Sequence, residues 1–187
     1  GIKSSNVSVL GNIRYRELQN LEFRHKNKNK IRQKLNIPLN AKFYIFTFSI
    51  SSQLDKYLFS LGRSIFNKDN NSYLYFARHP SKKGSDYFFK EDSIRTISNV
   101  DNFSLYDLVS SADFLISGGT QVVFESIVLG VPTIVIEPCD TYTSTNFSNF
   151  RDITCIKSSE SQVLNSLFNN SKRKFHVKSG TVRFVKN

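Results

Sequence analysis

The chain has 187 residues, 39% of them hydrophobic, with 26 Lys and Arg against 15 Asp and Glu and a net charge of +11. That length and apolar content suit one large domain with a well-filled core. The charge favours anionic partners without choosing among nucleotide-sugar, acidic glycan, anionic lipid and nucleic acid. No apolar run approaches the roughly 18 residues of a membrane span, and no N-terminal stretch reads as a secretory signal.

Residues 1–20 read as a lead-in, with a strand end at 7–10 and a turn at Gly11-Asn12. A helix is expected over 27–35, ending before Pro38. Residues 42–49 are rich in aromatic and β-branched side chains and read as a strand. Leu54, Leu58, Leu61 and Ile65 recur at helical spacing and predict a helix over 52–66. Further strands are expected at 73–77, 94–97, 114–116, 133–136 and 153–156. Helices are expected at 86–90, around Leu105, Leu108 and Val109, over 120–129, and over 163–168. The domain proper is thus 21–170, followed by a basic tail at 171–187.

Six strands alternating with helices imply an α/β fold with a mostly parallel sheet covered on both faces. The doubly wound, Rossmann-like strand order 3-2-1-4-5-6 is the expected topology. Ligands of such sheets bind beyond the carboxyl ends of the strands, so the residues there carry the functional reading.

After the first strand, Ser51 and Ser52 offer hydroxyls and free N–H groups to an anion; plain helix capping explains them equally well. After the second strand stand Arg78, His79 and Pro80. His79 can donate to a phosphate oxygen or act as an acid on a leaving group. A lone His is more often structural, but this one follows a strand beside Arg78; His25 and His176 lack such a setting and read as surface residues. After the third strand, the backbone near Val100 can read a base edge, Ser104 can cap the next helix, and Asp101 is equally a turn residue. After the fourth come Ser117, Gly118, Gly119, Thr120 and Gln121. The glycines permit close approach to a phosphate, the helix start favours negative charge, and Thr120 is the expected N-cap. Glu125 follows on the Gln121 face, where a carboxylate can accept both ribose hydroxyls. It could instead be a surface charge, though its neighbours Val122, Val123, Phe124, Ile127 and Val128 are apolar. The segment 137–141 after the fifth strand lines a pocket or shapes a loop.

Other chemistries lack their signatures. There is no GxGxxG after the first strand, no Walker A motif and no GxSxG elbow. Cys139 and Cys155 have no metal or disulfide spacing, so a reducing, cytoplasmic setting is expected. The 17 Phe read as core rather than as a stacking platform, which argues against nucleic acid. The basic runs 24–34 and 172–186 read as a solvated helix face and a tail. Contact with the anionic inner face of a membrane is the sharper reading of both. The chain contains no Met, and Gly1 is read as a cloning remnant or an internal start, which suggests a fragment.

The run Ser117-Gly-Gly-Thr-Gln, Glu125 and Leu129-Gly-Val-Pro132 resembles the nucleotide-binding C-terminal half of GT-B glycosyltransferases. Bacterial UDP-GlcNAc 2-epimerases carry a similar run. Arg78-His79-Pro80 resembles the His-Pro motif of bacterial sialyltransferases and CDP-glycerol polymerases. Gly11-Asn-Ile-Arg-Tyr-Arg-Glu-Leu18 is similar to the segment entering this domain in surface-polysaccharide transferases. Together the resemblance covers roughly residues 11–170.

The resemblance implies a donor-binding domain for a UDP-, CMP- or CDP-linked sugar or polyol, serving bacterial surface or capsular polysaccharide synthesis. A glycan or lipid-linked acceptor would be held by a further N-terminal domain. No metal is expected. Residues 117–120 would hold the donor phosphates, Glu125 the ribose, and His79 would meet the phosphate as the catalytic group. Many retaining members carry a Glu where this chain has Ser117, which favours inverting or CMP-linked chemistry. An epimerase or UDP-sugar hydrolase, and a non-catalytic carbohydrate- or membrane-associated module, are the alternatives.

Overall fold

The computed structural model describes residues 21–49, 51–79, 102–137 and 153–157. In chain order the elements are α1 (Leu21–Lys34), β1 (Lys42–Thr47), α2 (Ser52–Lys68) and β2 (Ser72–Ala77). There follow α3 (Leu105–Ser111), β3 (Phe114–Ser117), α4 (Val122–Val128), β4 (Thr133–Glu137) and β5 (Ile153–Lys157). The strands form one sheet in the order β2-β1-β3-β4-β5, and every described pairing is parallel. Among the described residues this is the expected doubly wound order, the strand expected third lying outside them. The segments expected at 7–10, 86–90, 94–97 and 163–168 lie outside the described residues, as do Val100, Cys139 and the tail.

Both faces of the sheet are covered, which is why β1 reads as a nearly continuous apolar run, KFYIFT. Successive side chains of a strand point to opposite faces. Tyr44, Phe46 and Phe48 accordingly pack with Leu54, Leu58, Leu61 and Ile65 of α2. Phe43 and Ile45 pack on the other face with Ile31, Leu35, Leu108 and Val109 of α1 and α3. Val123 and Ile127 of α4 join Val135 on β4. Phe43, Phe46 and Phe59 are core, and Phe66 packs against it partly buried.

Two boundaries differ from the sequence reading in ways that matter. Helix α1 starts at Leu21, ahead of the expected 27, and α4 occupies only Val122–Val128 of the expected 120–129. The N-terminal basic run is also not simply a solvated face. Arg32 is 2% exposed, and it donates to the carbonyls of Ser111 and Ala41 at 2.9 and 3.0 Å and to Asp113 Oδ2 at 2.6 Å. Lys28 pairs with Asp113 Oδ1 at 2.8 Å. Asp113 Oδ2 also accepts the Phe43 N–H at 2.9 Å, and the Asp113 N–H returns to the Phe43 carbonyl at 2.8 Å. Burial pushes the Asp113 carboxyl up. The bonds from Lys28, Phe43 and Arg32 outweigh it and hold its pKa below the ordinary carboxylate value. This knot ties α1, the start of β1 and the α3–β3 corner together at the amino end of the sheet.

Candidate functional site

The opposite, carboxyl end of the sheet holds those sequence-predicted residues that the structure describes. The chain runs from β1 to β2 on one side, then returns to β3 on the other side of β1. The strand order therefore switches between β1 and β3, where open α/β sheets leave a crevice for ligands. The last residues of these strands, Thr47 and Ser117, are register partners.

A hydroxyl cluster closes this switch point. Thr120 Oγ1 lies 3.1 Å from Ser117 Oγ and 3.3 Å from Thr47 Oγ1, and the Thr120 N–H donates to Ser117 Oγ at 3.3 Å. Ser117 is 0% and Thr47 3% exposed, so they support the turn from beneath. Thr120 is half-buried and is the cluster's outward member. Its expected role as N-cap is corrected: Gln121 holds that position in right-handed helical geometry, with no side-chain cap bond. The physical reason is that the Thr120 hydroxyl is engaged with Ser117 and Thr47, leaving α4 to begin one residue later than a capping Thr120 would place it.

The glycines have distinct duties. Gly119 adopts φ 84°, a left-handed conformation that favours glycine. A Cβ on Gly118 would stand 2.5 Å from Leu54 Cδ2 and 3.5 Å from Ser49 Cβ. The close approach at Gly118 is thus to the first turn of α2, which clamps the β1–α2 loop against the β3–α4 loop. Gly118→Ala is expected to force Leu54 from its position, costing about 1–3 kcal/mol by overpacking. Thermal or urea unfolding would read this loss.

Ser51 caps α2, accepting the Leu54 N–H at 3.4 Å, while Ser51 and Ser52 are both exposed. Asp55, 6% exposed, accepts the Ser49 N–H at 2.9 Å and fixes the loop from below. Arg78 is exposed and His79 half-buried; they follow Ala77, the register partner of Thr47 on its other side. They therefore leave the sheet one strand, about 5 Å, from the end of β1. Among the described residues no group of three or more His, Cys, Asp or Glu gathers in a metal-ligand arrangement.

Glu125 lies in the first turn of α4 and is 6% exposed, which corrects the surface-charge alternative. Tyr106 Oη donates to Glu125 Oε1 at 3.2 Å. Tyr106 stands in the first turn of α3, which Ser104 and Asp107 hold in a reciprocal capping box. Thr47, Asp55 and Tyr106 were missed by the sequence reading. Thr47 carried a signal, since it is a hydroxyl at a strand end, but the strand was expected to run to 49. Tyr106 and Asp55 sit inside helices, where nothing local marks them.

No family model matches the chain, and no curated protein matches it. Solved structures do. The wall teichoic acid polymerase TagF is 18% identical, with 98% of this chain and 48% of that one covered at a TM-score of 0.66. The Methanocaldococcus jannaschii UDP-GlcNAc 2-epimerase in complex with UDP-GlcNAc and UDP is 20% identical, covering 94% and 51% at 0.65. S. aureus MnaA with UDP is 16% identical, covering 100% and 51% at 0.67. The chain therefore has the Rossmann-like fold of a GT-B-like domain. It spans about half the length of the structures it matches.

Proposed function

We propose that the chain is the C-terminal, donor-binding half of a GT-B transferase that uses a nucleotide-activated sugar or polyol for bacterial surface polysaccharide. The observation that carries this reading is the glycine turn 117–120, knotted to Thr47 at the switch point, with Glu125 on the same edge of the sheet. Support also comes from the matched structures, one named with UDP and one with UDP-GlcNAc and UDP.

In this reading the backbone N–H groups of Gly118, Gly119 and Gln121 and the Thr120 hydroxyl receive the donor phosphates, while the Thr120 N–H holds Ser117 Oγ. Glu125 accepts the ribose hydroxyls, Ser51 and Ser52 border the pocket, and the Val100 segment reads the base. His79, beside Arg78, donates to the phosphate and stabilises the departing nucleotide. The acceptor attacks from a second domain, at the cytoplasmic face of the membrane. Cationic side chains and N–H donors take the role a metal would otherwise fill.

Calorimetry with UDP, CMP and CDP at up to millimolar concentration tests this. One nucleotide is expected to bind, to raise the unfolding temperature, and to bind equally well in EDTA. His79→Ala is expected to weaken it. Binding of none of the three would favour a non-catalytic module instead. Products formed from a UDP-sugar without acceptor, by the full-length protein, would separate transfer from epimerisation or hydrolysis.

A further inference from the structure

We propose that Thr47 and Ser117 are positioning residues that act through Thr120: their buried hydroxyls both donate to Thr120 Oγ1, which commits the Thr120 proton to an ionised phosphate oxygen. The inference rests on the reading of the glycine turn as the donor-phosphate site and deepens it.

Three hydroxyls meet at the switch point, and their protons are assigned by elimination. Thr120 Oγ1 stands 3.1 Å from Ser117 Oγ and 3.3 Å from Thr47 Oγ1, and in each contact either oxygen could donate. Each hydroxyl has one proton and two lone pairs. Ser117 is 0% and Thr47 3% exposed, whereas Thr120 is half-buried. Among the described residues, Thr120 Oγ1 is the acceptor that either buried hydroxyl proton can reach. Ser117 Oγ already accepts the Thr120 N–H at 3.3 Å. Were Thr120 to donate to Ser117, the Ser117 proton would be buried without an acceptor. Were it to donate to Thr47, the same would hold for the Thr47 proton. A buried donor left unmade is disfavoured by roughly fivefold or more in population. The arrangement in which both buried hydroxyls donate to Thr120 leaves none. Both lone pairs of Thr120 Oγ1 are then filled, and its proton takes the remaining tetrahedral direction, away from Thr47 and Ser117. The two donors are held in place because Thr47 and Ser117 are register partners at the ends of adjacent strands. Linked hydrogen bonds polarise one another, so Thr120 is a stronger donor than an isolated threonine. A hydroxyl fixed as a donor suits a group that only accepts, as an ionised phosphate oxygen does.

The test is calorimetry of the full chain with UDP, CMP and CDP, on variants whose folding circular dichroism confirms. Thr120→Val is expected to weaken the nucleotide that binds by about tenfold, the value of one hydrogen bond to a charged group. Thr47→Val is expected to weaken it about threefold, because the Thr120 bond survives without its fixed direction and polarisation. Thr47→Ala, which removes the hydroxyl without adding a methyl, is expected to give the same result. Thr47→Ser keeps the hydroxyl and is expected to bind as wild type does. In the Thr120→Val background, Thr47→Val and Thr47→Ala are expected to add nothing, since both residues act through one proton. Two results would overturn the inference while leaving the nucleotide reading in place. One is wild-type affinity in Thr47→Val and Thr47→Ala while Thr120→Val is weakened. The other is the same loss from removing the Thr47 hydroxyl with and without the Thr120 hydroxyl, which marks a merely structural tie. A wild type that binds none of the three nucleotides, or a Thr120→Val protein with full affinity, overturns the phosphate reading of Thr120 and this inference with it.

Discussion

Asp113→Ala is expected to lower the unfolding free energy by about 3–5 kcal/mol, because it leaves the Arg32 guanidinium buried without its counter-charge. Arg32 is 2% exposed, and its other acceptors among the described residues are the carbonyls of Ser111 and Ala41, so water cannot readily replace the lost carboxylate. Arg32→Ala should cost a comparable amount through its lost packing and the carbonyls of Ser111 and Ala41 it abandons. The double variant should lose less than the sum, since both changes remove the same pair. The dependence on pH has a defined sign. The folded-state pKa of Asp113 is depressed, so its contribution is complete above the unfolded value of about 3.9 and disappears as pH falls through the folded value. The gap between wild type and Asp113→Ala should therefore narrow below roughly pH 4. Urea unfolding at a series of pH values measures it, and a gap that stays constant down to pH 2 would be the wrong outcome. The knot lies at the amino end of the sheet, so nucleotide affinity in the folded variants should not change.

With Glu125 as the proposed ribose acceptor, Glu125→Ala is expected to weaken UDP or CDP binding about a hundredfold, since that role makes two hydrogen bonds to a charged acceptor. The dependence should be on the ribose alone. A variant that binds the nucleotide as tightly as wild type would remove Glu125 from the site. The effect on stability should be much smaller than at Asp113. Glu125 is buried, but its described bond is to a neutral, half-buried partner, the Tyr106 hydroxyl, whereas Asp113 holds a buried guanidinium. The two substitutions therefore separate the two ends of the sheet: one should act on folding, the other on binding.

Much of this division was legible in the residues themselves. The alternation of apolar runs gave each described strand to within a residue or two, because a strand buried on both faces must be apolar throughout. The helical spacing of Leu54, Leu58, Leu61 and Ile65 gave α2 for the same reason, and all four are buried. The expected strand order agrees with the observed one wherever the strands are described. The glycine turn was legible because Gly119 requires a conformation other residues avoid. Its use was less so. The absent side chain of Gly118 makes room for Leu54, and Ser117 is closed off within the cluster it supports.

By itself, the sequence determined the kind and succession of the described elements and the residue types that stand at the carboxyl ends of the strands. These follow from periodicity and turn chemistry, which act over a few neighbouring residues. Only the tertiary structure decided the pairs: Thr47 with Thr120, 73 residues apart; Tyr106 with Glu125, 19 apart; and Arg32 with Asp113, 81 apart. Such contacts depend on which strands become neighbours and in what register. A hydroxyl or carboxylate inside a helix carries no local mark of the partner that packing will bring to it.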